Sequence, residues 1–311
     1  MTAARRPSAV AEPPVGRALL VVRPGPLTTV QDLGRRGVAH LGVPRAGALD
    51  VPALRAANRL VGNEPDAAAL ETTLGGVAVR ARGTVVLAVT GAPAAVRVNG
   101  RSAAWGAPVT VPDGALLEVG AATHGVRCYL AVAGGIAVPP VLGSRSADLL
   151  SGLGPAPLTA GDVLPVGPPP PRRPVPGPLP LPLPPPDLVP LPAPPTELVL
   201  RLRLGPRADW FAPRSVARLA HDHYRVAPAS NRIALRTEGP PVARAVDGEL
   251  ASEGMVLGAV QIPPDGRPVV FLADHPTTGG YPVVGVVPAA DLAAAAQARP
   301  GTPLRFVLLR G

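Results

Sequence analysis

The chain has 311 residues, of which 47% are apolar although only three are Phe, three Tyr and two Trp, and its formal net charge at pH 7 is +9. This length predicts two domains, and cores of Val, Leu, Ala and Ile suit packed β-sheets. The sequence contains no lysine and a single cysteine, which excludes a Walker-type phosphate loop, a Schiff base, an attached biotin, an internal disulfide and a cysteine-based zinc site.

The composition also bears on partners and location. The positive charge is carried by arginines that are scattered without interleaved aromatic residues, which does not favour nucleic-acid binding. Residues 1–17 lack the apolar segment of a signal peptide and are predicted to be a disordered tail. The sequence contains no run of about 18 apolar residues, so no membrane span is predicted. We therefore expect a cytoplasmic protein that binds neither nucleic acid nor membranes.

Residues 18–167 are predicted to form a lobe of strands and hairpins, because apolar and polar residues alternate between closely spaced turn signals. The dipeptide Asn99-Gly100, inside VRVNGRSA, is typical of a two-residue hairpin turn. One helix is predicted to begin at Asp50 as its N-cap, with Pro52 in the first turn. Cys128 lies in an apolar strand and is predicted to be a core residue.

The segment from Pro168 to Pro195 is predicted to be a linker, because 16 of its 28 residues are proline. So many missing amide donors are incompatible with a helix or an interior strand. A ligand motif for SH3-like domains is one interpretation, but a semi-rigid spacer is favoured.

Residues 196–311 are predicted to form a second, mostly β lobe. The sequence from Leu198 to Leu204 alternates, short helices are predicted near Pro213 and near Asp291, and the strand beginning at Pro303 closes the lobe. The spacing of His221 and His223 would allow both to bind one metal ion, but no third nearby His or Cys completes the set of ligands. No metal site is predicted.

The best functional candidate within the second lobe is the loop ADHPTTGGYP, from Ala273 to Pro282. Its hydroxyl, phenol, carboxylate and imidazole groups belong to Asp274, His275, Thr277, Thr278 and Tyr281. A simple turn does not need this density of donors and acceptors, whereas a small polar substrate does.

The first lobe contains a second group of candidates, just before the predicted helix. Gln31, Asp32, Arg35 and His40 lie among glycines in TTVQDLGRRG and HLGVPRAGALD. They either bind substrate or nucleotide, or hold their own loop through local hydrogen bonds. Arg145, flanked by two serines, is a candidate anion clamp.

Taken together, the motifs resemble the biotin-dependent carboxyltransferase or allophanate hydrolase subunit 2 family, and within it most closely the C subunit of bacterial 5-oxoprolinase. The matching motifs, in order, are TTVQDLGRRG, HLGVPRAGALD, ANRLVGN, LETTLGG, YLAVAGGI, VLGSRS, LTAGDVLPVG, LGPRADWF, SNRIALRTEGP, SEGMVLGAVQIPPDG and ADHPTTGGYP. They cover about residues 20–309, interrupted only by the linker.

The resemblance implies a mainly β fold of two cyclophilin-like β-barrel lobes with a few short helices, joined by the proline-rich linker. It also implies ATP-dependent opening of 5-oxoproline to glutamate together with 5-oxoprolinase subunits A and B. In such a system the B and C subunits activate the lactam carbonyl by phosphorylation, and the A subunit completes hydrolysis. The implied cofactor is ATP, shared with a partner protein, and biotin is not attached to this chain.

The residues assigned to the site by this resemblance come from both lobes. Those expected to be catalytic are Asp32, His40 and Asp274. Those expected to bind the small amide substrate are Gln31, Arg145, Glu253, Gln261, Thr277, Thr278, Gly280 and Tyr281.

The chain departs from the family pattern at Arg45-Ala46, where small or Pro-Gly residues are usual, and at His275-Pro276, where Arg-Gln is frequent. Part of the cleft wall therefore differs, and two other functions stay open. One is a carboxyltransferase that moves a carboxyl group from biotin on another protein to urea or a related amide. The other is a non-enzymatic regulator of a kinase inhibitor.

Overall fold

The computed structural model describes residues 16–170, 193–194, 196–248 and 250–309. Most of the predicted tail and most of the predicted proline-rich linker lie outside the described residues. The described residues form two lobes, one before and one after the linker segment, and no sheet combines strands from both lobes.

In the first lobe, the described strands form a six-stranded sheet, in the order β11-β1-β4-β9-β6-β7, and a five-stranded sheet, in the order β2-β3-β10-β5-β8. The strands are β1 (Ala18–Arg23), β2 (Leu27–Gln31), β3 (Ala69–Thr73), β4 (Ala78–Arg82), β5 (Val85–Gly91), β6 (Ala94–Val98), β7 (Arg101–Ala103), β8 (Pro108–Val111), β9 (Leu116–Ala122), β10 (Arg127–Val132) and β11 (Val163–Pro165). The two sheets share an aliphatic core that includes Leu19, Leu87, Leu117 and Cys128.

The local signals of the first lobe are confirmed by the structure. Asn99 and Gly100 adopt φ values of 49° and 78° between β6 and β7, as a hairpin turn with two left-handed residues requires. Helix α1 (Val51–Leu60) begins at Asp50, whose carboxylate accepts a hydrogen bond from the Ala53 amide at 3.0 Å. Leu54 of this helix packs with small residues against the five-stranded sheet.

In the second lobe, the described strands form a closed seven-stranded barrel in the order β12-β19-β16-β17-β14-β13-β20, with a separate ribbon of β15 and β18. The strands are β12 (Leu198–Leu204), β13 (Tyr224–Val226), β14 (Ala234–Glu238), β15 (Glu253–Gly254), β16 (Ala259–Gln261), β17 (Val269–Phe271), β18 (Thr278–Gly279), β19 (Val283–Val286) and β20 (Pro303–Leu308). Helices α2 (Pro213–Arg218) and α3 (Ala289–Gln297) accompany the barrel.

The barrel closes because its first and last strands, β12 and β20, pair in parallel, with Leu198 opposite Leu304. Alternate residues of β12 point inward, so Leu198, Leu200 and Leu202 have no exposed surface and join Phe306 in the core. The expected mainly β fold with a few short helices is therefore confirmed, with a closed barrel in the second lobe and two sheets in the first among the described strands.

Candidate functional site

The two lobes are joined by a buried arginine. Arg232, before β14 of the second lobe, donates from Nε and Nη2 to the carboxylate of Asp274 at 3.0 and 2.9 Å. Its Nη1 pairs with the carboxylate of Glu71 in β3 of the first lobe, and its Nη2 also donates to the Gly47 carbonyl at 2.7 Å. This arginine thus fixes the distance between the loop that follows Leu272 and the first lobe.

The carboxylate of Glu71 is also satisfied from its own lobe. Glu71 Oε2 accepts hydrogen bonds from the Tyr129 hydroxyl at 2.6 Å and from the Leu49 amide at 2.9 Å. Burial alone would raise the pKa of Glu71, but Arg232, Arg127 and the Tyr129 hydroxyl together hold it below its ordinary value. The ionised form of Glu71 is therefore favoured at the lobe junction.

A glutamine of the second lobe adds a second connection. Gln297, at the end of α3, accepts hydrogen bonds through Oε1 from the amides of Val126 and Arg127, both at 2.9 Å. Its Nε2 donates to Asp50 Oδ2 at 2.8 Å. The N-cap of α1 is thereby held against the second lobe, and the relative position of the two lobes is set by side chains with little or no exposure.

Asp32 ties two loops of the first lobe together. Its Oδ1 accepts hydrogen bonds from the hydroxyls of Ser144 and Ser146, both at 2.6 Å. Gly34 N donates to Oδ1 at 2.8 Å, and Arg145 N donates to Oδ2 at 2.6 Å. This arrangement supports the alternative in which the Asp32 carboxylate holds its own loop.

The loop held by Asp32 carries Arg35, a guanidinium with 2% exposure. Its Nε donates to the Val141 carbonyl at 3.1 Å and its Nη2 to the Ser146 carbonyl at 2.5 Å. Its Nη1 is buried and has no hydrogen-bond partner among the described residues. Arg35 is therefore clamped in place with its Nη1 amino group left without a partner, and a buried donor of this kind is normally satisfied by an ordered water, an ion or a ligand.

A cleft of about 480 Å³ opens where this loop meets the second lobe. It is lined by Arg35, Arg36, Gly37, Ala39, Val43, Pro44 and Arg45 from the first lobe and by Met255, Val256, Leu257, His275 and Thr277 from the second. Three of these residues are arginines, and no Asp or Glu is found among the described residues of the lining. The cleft is therefore suited to a small anion with an apolar part.

His275 and Thr277 bring the loop ADHPTTGGYP into this cleft. His275 has 6% exposure, and its Nδ1 lies 2.7 Å from the Pro276 carbonyl oxygen. Burial, assisted by the nearby Arg45, lowers the pKa of His275 below its ordinary value, so the imidazole is neutral at pH 7. The Thr277 carbonyl accepts a hydrogen bond from the Met255 amide at 2.8 Å, which holds the two edges of the second-lobe wall together.

An apolar pocket of about 320 Å³ adjoins the cleft, and the two cavities share Arg45 and Leu257 in their linings. The pocket lies at the lobe junction between the start of α1, near Val51, and the start of α3, near Ala289. Burial, together with the cations Arg36 and Arg55, lowers the pKa of Arg45. Arg45 therefore stands at the boundary between the cationic cleft and the apolar pocket.

Of the residues assigned by resemblance, the cleft lining contains Thr277 alone. Asp274 lies directly behind His275 and is engaged by Arg232. Burial raises the pKa of Asp274, and Arg232 partly opposes that shift.

Gln31 has no exposed surface and donates to Thr29 Oγ1 and the Ala147 carbonyl, both at 3.0 Å. Asp274 is therefore the chain neighbour of a lining residue, whereas Gln31 is held inside the first lobe.

A second set of assigned residues gathers around the β15–β18 ribbon. The guanidinium of Arg207 binds the Glu253 carboxylate, with Nε donating to Oε1 at 2.9 Å. In the ribbon, Glu253 is paired with Gly279. Gln261 Nε2 donates to the Tyr281 carbonyl at 3.2 Å. The remaining members, Thr278, Gly280 and the 45% exposed Tyr281, face the outside of this ribbon.

The other two assigned residues lie apart from the cleft. His40 is exposed on a short 3₁₀ turn, Ala39–Leu41, and is not part of the lining. Arg145 directs its Nε to the Val138 carbonyl at 2.7 Å. Their roles in binding or catalysis stay predictions.

Sequence reasoning missed Glu71, Arg232 and Arg45. Glu71 is an acidic residue in the strand LETTL, and Arg232 is a cation beside the strand IALRT. A charged residue in or next to an apolar strand is the signal that would have found them, because such a residue is rarely buried without a partner. Arg45 was noted in the sequence only as a departure from the family pattern, and no role was assigned to it.

Two further properties concern the described residues only. No helix in the described ranges is long and apolar enough to cross a membrane. No group of three or more His, Cys, Asp or Glu side chains in those ranges is placed to hold a metal ion.

Comparison with known proteins confirms the family resemblance. A family model described as the carboxyltransferase domain, subdomain A and B, matches residues 41–308. The chain is 38% identical over 292 residues to the C subunit of 5-oxoprolinase from Escherichia coli (strain K12), covering 93% of this chain and 90% of that protein.

Larger proteins contain the same unit. The chain is 36% identical over 311 residues to urea amidolyase of Lachancea kluyveri, covering 93% of this chain but only 17% of that protein. The crystal structure of the K. lactis urea amidolyase superposes with a TM-score of 0.82 at 33% identity, covering 94% of this chain and 19% of that chain. The fold described above is therefore also found as one part of longer chains.

Proposed function

The chain belongs to the family of the carboxyltransferase domain, subdomains A and B, and from this premise we propose that it is one component of an ATP-dependent 5-oxoprolinase. In this proposal the chain binds 5-oxoproline and activates its lactam carbonyl, and the partner subunits A and B are needed to form glutamate. The name and the nearly complete coverage of the E. coli relative support this choice over one drawn from the longer relatives.

The observation that carries the proposal is the cleft between the lobes. Its walls combine a buried guanidinium with a free N–H group, a neutral imidazole and a threonine, provided by Arg35, His275 and Thr277. Donors held rigidly at a lobe junction can stabilise negative charge that develops on an amide oxygen. In this step the lactam N–H proton passes to a base, for which the neutral imidazole of His275 is the candidate, and the negative charge develops on the lactam oxygen. That oxygen attacks the terminal phosphorus of ATP, and the new O–P bond forms as the bond from phosphorus to the bridging oxygen breaks and ADP leaves.

We assign only part of the ATP site to this chain. The sequence contains no lysine, so a Walker-type phosphate loop is excluded, and phosphate contacts from this chain would come from arginines such as Arg36 at the cleft mouth. The rest of the nucleotide would be held by a partner protein. Water attack that completes ring opening is likewise assigned to a partner.

A second candidate function is favoured by the urea amidolyase relatives. In it, the same cleft would hold urea or a related amide while a carboxyl group arrives from biotin carried by another protein. The absence of lysine means that biotin cannot be attached to this chain, but a carrier domain could present it at the cleft mouth.

Reconstitution with candidate A and B subunits separates the two functions. We expect glutamate release from 5-oxoproline that requires ATP and stops when this chain is omitted. ATP-independent release, or release by A and B alone at the same rate, would contradict the proposal. Carboxylation of urea supplied with carboxybiotin, in the absence of any 5-oxoprolinase activity, would favour the second function.

A further inference from the structure

The guanidinium groups of Arg35 and Arg45 come from backbone segments that are hydrogen-bonded to each other. Arg35 N donates to the Arg45 carbonyl at 2.7 Å. The two segments are in backbone contact, since a Cβ on Gly34 would lie 2.5 Å from the Ala46 carbonyl oxygen. The backbones of Arg35 and Arg45 are therefore held side by side, and both residues belong to the lining of the cleft.

Both guanidinium groups have unused hydrogen-bonding capacity. Arg35 keeps Nη1 free after its other contacts are made, and the Arg45 side chain makes no hydrogen bond within the described residues. A planar guanidinium with free N–H groups matches the two oxygens of a carboxylate, and such charge-assisted bonds are about twice as strong as neutral ones.

The charge around the pair is not balanced from within the cleft. Arg36 adds a third cation to the lining, His275 is neutral at pH 7, and the described lining has no acidic side chain. Two carboxylates in the segments that carry lining residues, those of Asp32 and Asp274, are engaged elsewhere. Asp32 is bound by serine hydroxyls and backbone amides, and Asp274 is bound by Arg232.

We propose that Arg35 and Arg45 form a carboxylate-binding pair that makes the cleft selective for small amides carrying a carboxylate group over neutral amides. Arg35 supplies its buried Nη1 amino group, and Arg45, half-buried at the boundary with the apolar pocket, determines the selectivity. This inference rests on the proposed function in one respect: it takes the cleft as the amide site.

The inference is tested with pairs of ligands that differ only by a carboxylate in place of hydrogen. The pairs are 5-oxoproline with 2-pyrrolidinone, and N-carbamoylglycine with methylurea. Isothermal titration on the full chain, repeated on its complex with the A and B subunits, gives the dissociation constants. We expect the carboxylated member of at least one pair to bind at least tenfold more tightly than its neutral partner.

Arg45→Gln is the main variant, because Arg45 is half-buried and its loss is compatible with folding, which circular dichroism verifies. We expect this variant to raise the dissociation constant of the carboxylated ligand at least tenfold and to leave that of the neutral ligand unchanged. Arg45→Lys should recover part of the lost affinity. Arg97→Gln, on the exposed side of β6, is the matched control and should bind like the wild type. If Arg45 had a purely structural role, its substitution would lower the affinity for both members of a pair alike.

Several results would overturn the inference. Equal binding within both pairs, unchanged selectivity in Arg45→Gln, or no binding of any carboxylated amide would each do so. Binding of inorganic phosphate that depends on Arg45 and is tighter than that of either carboxylated amide would reassign the pair to phosphate.

The inference and the proposed function fail in different ways. Glutamate release with an unchanged KM for 5-oxoproline in Arg45→Gln would refute the carboxylate pair and leave the function intact. Selective binding of N-carbamoylglycine that depends on Arg45, without any glutamate release by the complex, would refute the function and leave the carboxylate pair intact.

Discussion

The guanidinium of Arg232 in the second lobe is ion-paired with the carboxylate of Glu71 in the first, with 1% and 2% of these side chains exposed. Arg232 also pairs with Asp274, which has no exposed surface. Two buried carboxylates thus pair with the same cation. Removing one member of such a group lowers the stability of the fold by more than the whole group contributes to it, because the remaining charges stay buried and uncompensated.

The first prediction follows from this triad. Arg232→Gln should lower the free energy of unfolding by about 3–5 kcal/mol, since Asp274 would lose the cation that it pairs with and Glu71 would keep only the nearby Arg127. Urea denaturation measures the change. As a control, Arg305→Gln removes an exposed ion pair with Glu197 and should cost less than about 1 kcal/mol. Equal effects of the two substitutions would show that the lobe junction does not depend on the triad.

The second prediction concerns Asp32. Asp32→Asn should lower the free energy of unfolding by about 1–3 kcal/mol, because an amide cannot accept all four hydrogen bonds that the carboxylate accepts. Asp265→Asn, which alters an exposed turn contact, is the control. If Asp32→Asn instead abolished glutamate release at unchanged stability, the catalytic assignment of Asp32 would be supported.

The third prediction separates the two adjacent threonines. Thr277 lines the cleft, whereas Thr278 is exposed on the ribbon strand β18. Thr277→Ala should raise the KM for 5-oxoproline in the reconstituted complex about fivefold, the effect of one neutral hydrogen bond. Thr278→Ala is the matched control and should stay within twofold of the wild type. The reverse order would move the site to the outside of the ribbon.

The fourth prediction concerns pH. Since burial lowers the pKa of His275 below the unfolded value of about 6.5, the unfolded chain binds more protons than the folded chain just below that pH. The free energy of unfolding should therefore fall as pH decreases from 6.5 toward the folded pKa, by at most about 1.4 kcal/mol per pH unit from this group.

His275→Gln should reduce that slope, and His124→Gln, at an exposed position, should not. Urea denaturation at several pH values between 5 and 7 measures the slopes, and an NMR titration of the His275 ring gives its pKa directly. An NMR pKa above 6.5 would contradict the prediction.

The fifth prediction concerns Cys128, which has 1% exposure. Burial raises the pKa of its thiol to about 11, so the thiolate that reacts with disulfide reagents is scarce at pH 8. The native chain should react slowly with Ellman's reagent, and the urea-unfolded chain should release one equivalent at once. Rapid reaction of the native chain would show that the core of the first lobe opens readily.

Local signals predicted the regular elements well. Asp50 caps α1 because its carboxylate reaches an amide three residues away, and the Asn99-Gly100 turn depends on two neighbouring residues with positive φ. Both features are decided within a few residues of chain. The parallel pairing of β12 with β20 is different, because Leu198 and Leu304 meet only when the barrel closes.

The candidate site was predicted in part. The loop ADHPTTGGYP does reach the cleft, through His275 and Thr277. Not all of its polar groups face the cleft, however, because Asp274 binds Arg232 at the junction of the two lobes. Arg45 became a candidate only when its position beside the free N–H group of Arg35 was known.

The sequence by itself determined the mostly β composition, the capped helix α1, the family and the chemistry excluded by the absence of lysine. These properties depend on residue types and on short-range spacing, which the chain carries in any conformation. Among many similar arginines, the sequence singled out Arg35 and Arg145, and only the tertiary structure added Arg45 and Arg232. Arg35, Arg45 and Arg232 differ from the exposed arginines only in burial and in the partners that distant segments bring to them, and both depend on how the two lobes meet.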